Sequence, residues 1–242
     1  MARAPLVWRP ATVVGMRTET PTVRTLVLDV PDWPGHEPGH HIDIRLTAED
    51  GYQAERSYSI ASPPETAMLE ITVERLMDGE VSPFLVDDVE VGDTLEVRGP
   101  IGGFFVWTVD RGGPLVMIAG GSGVVPMMSM LRHRAAREST VQAHLLVSAR
   151  TFTEAIYRSE LDAIGPREGL DVQWTFTRVP PPGWTGLKGR VDADVLAAFV
   201  PEPSTSPQIF VCGPNPFVEL ATSLLVMAGH DPRSIKAERF GG

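Results

Sequence analysis

The sequence predicts two domains of different class, an antiparallel β-barrel over residues 1–110 and an open, parallel, doubly wound α/β sheet over residues 111–242. Three observations predict this. Apolar residues alternate with period two through about Asp110, then gather into short continuous runs whose gaps are mostly of helix length. A polar, glycine-rich joint, Val109-Asp110-Arg111-Gly112-Gly113, marks the change. Beyond it an apolar run passes directly into Gly120-Gly121-Ser122-Gly123 and on to a helical pattern.

In the first half, Thr22 to Val30, Ile42 to Leu46 and Leu69 to Leu76 alternate as half-buried antiparallel strands do, with Pro-Gly and Asp-Gly turn signals between runs. Strands of that kind remove their exposed edges by closing on themselves. In the second half, Leu115 to Ala119, Val141 to Ser148, Leu170 to Thr177, Gln208 to Cys212 and Ile235 to Phe240 are five strand candidates of a buried parallel sheet. Pro180 to Gly183 and Pro201 to Pro207 read as stiff connectors.

Composition narrows the function. With 43% hydrophobic residues in 242, the chain can bury a full core. Its net charge of −10 repels nucleic acid and anionic membranes. Cys212 is the single cysteine, which excludes an internal disulfide, a four-cysteine zinc site and a cluster held by four thiolates of this chain. A reducing, cytoplasmic setting is expected. Gly112 to Leu131 is uncharged, but its prolines and glycines interrupt any continuous membrane helix. The start MARAPLVWRPATVV has no uninterrupted apolar stretch, so no signal peptide is expected. His40 and His41 lack cysteine or carboxylate companions at metal-ligand spacing, and no metal is expected.

Gly121 and Gly123 are spaced as in the dinucleotide motif G-x-G-x-x-G, with Pro126 where the third glycine would stand. Glycines with Ser122 at a helix entrance suit a pyrophosphate, and proline suits a first helical turn. The same loop also fits a tight strand-to-helix turn without ligand. The next strand ends Val147-Ser148-Ala149-Arg150, with no acid for the ribose hydroxyls of NAD and with a cation for a 2′-phosphate. Ser148 and Arg150, with Arg158, Arg178 or Arg190 in support, favour NADPH over NADH.

Six motifs then fall in one order. RSYSIAS (Arg56 to Ser62) resembles the flavin-binding R-x-Y-S-x-x-S of the ferredoxin–NADP reductase superfamily, and GEVSPFL (Gly79 to Leu85) resembles its G-x-x-S-x-x-L. GPIGGFF (Gly99 to Phe105), the GGSGVVP loop, VCGPNP (Val211 to Pro216) and Glu238-Arg239-Phe240 follow, covering nearly the whole chain. The resemblance implies a six-stranded Greek-key barrel for FAD and a five-stranded nucleotide domain for NAD(P)H. It assigns flavin contacts to Arg56, Ser57, Tyr58, Ser59, Gly79, Glu80, Val81 and Ser82, with Arg56 and Ser82 at the pyrophosphate and Ser59 near flavin N5. It puts Cys212, Gly213 and Pro214 at the nicotinamide mouth. Glu238 is implied to lie beside them and Phe240 to cover the flavin face, although Gly241-Gly242 extends beyond the aromatic end of plant-type members. Ser59, Cys212 and Glu238 are the implied catalytic set. Read without the resemblance, Tyr58 also fits a barrel-core aromatic with a satisfied hydroxyl, and Cys212 an inert buried thiol.

The implied activity is hydride transfer from NAD(P)H to FAD. The chain carries no cysteines for an iron–sulfur domain, so its electrons are expected to pass to a separate partner, a ferredoxin, an oxygenase or another redox protein, or to a small-molecule acceptor. A flavin-holding electron-transfer subunit without nicotinamide turnover is the alternative.

Overall fold

The computed structural model describes residues 6–164 and 169–240; the start of the chain and Gly241-Gly242 lie outside them. Contacts group the chain into two units, one running through Thr108 and including Met128–Ala136, the other formed by Val109–Met127 and the chain from Arg137 onward.

The first unit is a six-stranded antiparallel sheet of β1 (Trp8–Thr20), β2 (Val23–Asp29), β3 (His41–Thr47), β4 (Gln53–Ser59), β5 (Leu69–Glu74) and β6 (Thr94–Ile101). Its order is β4-β3-β6-β1-β2-β5. The two outer strands meet through an antiparallel bridge, Ile60 to Ile71, which ties the end of β4 to β5. The alternation predicted over Thr22 to Val30, Ile42 to Leu46 and Leu69 to Leu76 turns Leu26, Leu28, Ile42, Ile44, Ile71 and Val73 into one fully buried core. Strand β1 was not singled out by the sequence, because a register shift between Val13 and Gly15 breaks its period. A short helix, α1 (Val81–Pro83), widens into a π-turn over Phe84–Asp88.

The second unit holds a parallel sheet of β7 (Leu115–Gly120), β8 (Ala143–Thr151), β9 (Leu170–Val179), β10 (Leu187–Lys188), β11 (Gln208–Pro214) and β12 (Ile235–Phe240), in the order β10-β9-β8-β7-β11-β12. These are the five expected strands plus β10. Two residues after a Pro-Pro-Gly turn carry no periodic signal, and β10 exists only because β9 offers an edge to pair with. Helices α2 (Val124–Ala136), α3 (Arg158–Ile164), α4 (Ala193–Phe199) and α5 (Asn215–Met227) connect the strands. All six residues of β7 are buried, as a central parallel strand requires. Leu196 and Phe199 of α4 and Val218 and Leu225 of α5 share a core with Val116, Ile118 and Val211. The chain leaves β7 toward β8 and β9 on one side and returns to β11 and β12 on the other. The direction of winding therefore reverses between β7 and β11, the position where open α/β sheets hold ligands.

Candidate functional site

In the first unit, β4 presents Arg56 in the open. Its Nη1 donates to the carbonyl of Glu55 at 2.7 Å, and no carboxylate among the described residues pairs with it. The rest of the guanidinium fork is available to an anion. Tyr58, two residues on, leans on the barrel core. Burial pushes its hydroxyl far above the ordinary range, with Arg56 pulling the other way, so Tyr58 stays a neutral hydrogen-bonding group. Ser57 is committed elsewhere, donating to Asp43 Oδ1 at 2.6 Å. Burial would raise the Asp43 carboxyl, but that bond and Arg98 at 2.7 Å hold it below its ordinary value. Ser59 stands opposite His41 at the end of the β3–β4 ladder.

Gly79 to Ser82 forms the entry to α1, where first-turn N–H groups lack partners within the helix. Ser82 is buried, and its Oγ accepts the Leu76 N–H at 3.1 Å, so the residue braces the 76–82 turn. Glu80 accepts the Tyr52 hydroxyl at 3.1 Å beside a groove of about 720 Å³ that also includes Phe84 and Leu95. A free guanidinium fork, a neutral tyrosine and an open helix entry are a donor set that fits the phosphates and ring system of a flavin nucleotide.

In the second unit, Gly121 has φ +56° with open space around its missing side chain, whereas a Cβ at Gly123 would overlap the Cys212 carbonyl. Gly121 thus supplies the turn and Gly123 the close approach of β7's loop to β11. Helix α2 starts at Val124, two residues before the expected Pro126, because a 3₁₀ turn over Gly121–Gly123 leads directly into it. Pro126 still lies in the first turn, where its missing N–H costs nothing.

Strand β8 brings Ser148 opposite Gly120. The strand itself ends without an acid, but one lies in the turn that follows. A 3₁₀ turn, Phe152–Glu154, folds Glu154 back toward Arg150, leaving Arg150 Nη1 3.9 Å from Glu154 Oε1. Thr151 Oγ1 donates to Glu154 Oε2 at 2.8 Å and fixes the carboxylate. The T-F-T-E string was the available signal. Arg158, expected to reinforce Arg150, instead pairs with Asp162 at 3.0 Å and lies 4.0 Å over the Phe152 ring.

Cys212 and Glu238 are direct partners in the β11–β12 register, so the parallel ladder sets them side by side at the winding reversal. Gly213 and Pro214 continue β11, with Pro214 opposite Phe240, a residue 36% exposed. Burial drives the Cys212 thiol well above its usual range, and neighbouring Glu238 adds to the effect. The thiol is therefore neutral, and a packing surface instead of a nucleophile. Burial also pushes the Glu238 carboxyl up to about 7. Among the described residues, no three His, Cys, Asp or Glu side chains group in a way that could hold a metal, and no helix is long and apolar enough to cross a membrane.

The Oxidoreductase FAD-binding domain family matches residues 10–106 and the Oxidoreductase NAD-binding domain family matches residues 117–223. The chain belongs to the ferredoxin reductase-like family of FAD- and NAD-binding oxidoreductases. It is 34% identical to the glycine betaine monooxygenase reductase subunit of Chromohalobacter salexigens, over 92% of this chain and 61% of that protein. Identity to NADH-cytochrome b5 reductase 1 of Aspergillus terreus is 31%, over 74% of this chain and 63% of the relative. The FAD/NAD-binding domain of nitric oxide dioxygenase from Vibrio cholerae superposes with a TM-score of 0.86 at 26% identity, covering 97% of this chain and 99% of that one. The chain thus spans less than two thirds of the length of these two curated relatives.

Proposed function

We propose that this ferredoxin reductase-like chain is a flavoprotein reductase that takes hydride from NAD(P)H and hands electrons on to a separate acceptor, an oxygenase or a ferredoxin. The observation that carries the reading is the winding reversal of the second unit, where the Gly121–Gly123 turn lies against Cys212 and Cys212 lies against Glu238. Monooxygenase reductase subunits among the relatives support the choice of acceptor. Residues 1–110 would hold the flavin and 111–242 the nicotinamide nucleotide.

Bound FAD would supply the hydride acceptor and store the electron pair. Arg56 binds a phosphate oxygen, the helix entry at Glu80 to Ser82 offers backbone donors while the Gly79 N–H holds the Leu76 carbonyl, and Tyr58 offers a neutral ring and hydroxyl. The Gly121–Gly123 turn and Ser148 receive the nucleotide pyrophosphate. Cys212 gives the nicotinamide a neutral, uncharged wall, and Glu238, whose carboxyl burial raises toward neutral pH, can hold a proton or accept a hydrogen bond at the same place. A single thiol that is buried and neutral suits a reducing, cytoplasmic setting.

The test is the visible spectrum of the purified protein, followed anaerobically after addition of NADH or NADPH. A yellow protein that releases FAD on denaturation and bleaches with either nucleotide is expected. A colourless protein that takes up no FAD overturns the proposal. One that holds FAD but bleaches with neither nucleotide is the electron-transfer subunit of the alternative.

A further inference from the structure

We propose that His36 is a positioning residue for the flavin strand: neutral, with its proton on Nε2, it holds the Ser62 carbonyl at the end of RSYSIAS, and taking a second proton from solvent releases that carbonyl and weakens the hold on FAD. The inference rests on the flavin reading above. His36 lies in none of the six motifs.

The tautomer is fixed from both sides. Trp33 Nε1 can only donate, and it lies 3.3 Å from His36 Nδ1, so Nδ1 carries a lone pair. The Ser62 carbonyl can only accept, and it lies 3.0 Å from His36 Nε2, so Nε2 carries the proton. Two independent neighbours thus require the same neutral imidazole. A second proton would go to Nδ1 and set an N–H against the Trp33 N–H. The indole cannot easily yield, because it packs against the barrel core. The imidazolium must therefore turn, and turning breaks its bond to Ser62.

Ser62 is where that bond matters. Three residues beyond Ser59, it is buried and joins several elements. Its carbonyl also accepts the Ser129 hydroxyl at 2.7 Å, its Oγ accepts the Glu70 N–H at 3.0 Å, and the adjacent Ala61 carbonyl accepts Arg132 Nη1 at 3.0 Å. Nearer to β4, the Ile60 N–H donates to the His40 carbonyl at 2.9 Å. The loop that carries His36 therefore grips the chain at Ile60 and at Ser62, directly after Tyr58 and Ser59. All these residues belong to the first unit, which includes Met128–Ala136. Of these bonds, only that of His36 ends on a side chain that titrates near neutral pH.

The surroundings set the direction of the response. Titratable groups on the elements around His36 are Asp32, Glu37 and His40 on its own loop, His41 at the start of β3, Glu65 after β4, and Arg132 and His133 on α2. Glu37 lies 3.8 Å from His40, Arg132 is engaged by Glu70 at 3.0 Å, and Glu65 is shared with His133, whose Nδ1 is 2.8 Å from its Oε1. Burial holds the His36 imidazole below its ordinary 6.5, while the Ser62 carbonyl and Glu65 pull it upward. A histidine lowered in the folded state keeps its native bonds above its ordinary value and loses them as pH falls. The grip on Ser62 is therefore closed at neutral pH and opens on acidification.

The experiment measures FAD affinity by equilibrium dialysis for the full chain and for His36→Gln, Trp33→Phe and Ser129→Ala between about pH 8 and 5.5, a range that spans the titration of histidine. Imidazole proton–nitrogen correlation spectra of the same flavin-loaded proteins read the tautomer of each ring. Glutamine offers an amide donor at the place of Nε2 and has no second proton to take. Wild type should match His36→Gln at the alkaline end and fall about threefold to tenfold below it at the acid end, the contribution of one hydrogen bond. Trp33→Phe removes the opposing N–H, so its imidazole should titrate at higher pH while FAD affinity follows that titration only weakly. Ser129→Ala, which removes the other bond to the same carbonyl, should weaken FAD by a similar factor relative to wild type at every pH. A His36 ring with its proton on Nδ1, a constant ratio of wild type to His36→Gln, or a Trp33→Phe profile as steep as that of wild type overturns the proposal. If none of the four proteins binds FAD at any pH, the flavin reading fails and the inference with it. If FAD binds and only the pH ratio disagrees, the inference alone fails.

Discussion

Removing the charge of Glu238 should leave a pH signature. Burial lifts its carboxyl from an ordinary 4.5 to about 7, so the folded protein resists ionising a group that the unfolded chain ionises freely. The group binds its proton more tightly when folded. Its contribution to stability is therefore full below about pH 4.5 and is lost as pH rises toward and through 7. At 1.36 kcal/mol per pH unit the displacement corresponds to at most about 3 kcal/mol, and the partial exposure of the side chain reduces this to about 1–2 kcal/mol. Glu238→Gln keeps the shape and cannot ionise. Urea denaturation of wild type and Glu238→Gln, at matched flavin content and at intervals from pH 4.5 to 8, measures the difference directly. The stability of wild type relative to the variant should fall by about 1–2 kcal/mol across that window. A flat difference would mean that Glu238 is hydrated at its place beside Cys212, and would remove the reason for giving it a proton-holding role.

Two further variants address the two halves. Arg56→Ala should weaken FAD retention by about 1.5–3 kcal/mol, the value of a charge-assisted phosphate bond, as read by cofactor release during equilibrium dialysis; wild-type retention would take Arg56 out of the site. Gly123→Ala places a Cβ on the backbone of Cys212, which cannot rotate aside, and should cost about 1–3 kcal/mol of stability along with nucleotide affinity. Gly121→Ala meets nothing, so only its backbone strain of about 1–2 kcal/mol remains. Equal losses of nucleotide affinity in the two variants, followed by titration calorimetry, would refute the distinction between turn and close approach.

Local pattern was sufficient for much of this molecule. Period two in Val23–Asp29 and Leu69–Glu74, and the buried run Leu115–Gly120, pick out the core-facing Leu26, Leu28, Ile71 and Val73, whereas the burial of Thr25 and Thr72 on the opposite face comes from their mutual hydrogen bond and packing between strands. The Gly-Ser-Gly string was legible because few residues other than glycine tolerate the φ of Gly121 and the contact at Gly123. The motifs of the reductase family were legible for a similar reason, since residue type and order carry them.

What the sequence could not determine depends on partners distant along the chain. That Ser57 gives its hydroxyl to Asp43 follows from the β3–β4 register, and that Cys212 faces Glu238 follows from a parallel pairing across the whole of α5. Strand β10 is two residues whose strand character comes entirely from β9. Closure of the first sheet turns on the bridge from Ile60 to Ile71, beside which the Ala61 N–H donates to the Glu70 carbonyl and the Glu70 N–H to Ser62 Oγ. Glu154 is the instructive case: its carboxylate was in plain view four residues past Arg150, yet only a tight turn and one threonine hydroxyl convert that spacing into a fixed charge beside a guanidinium. Linear spacing limits which groups can meet, but their meeting is decided by tertiary geometry, because hydrogen bonds and charges act over a few ångströms in space regardless of distance along the chain.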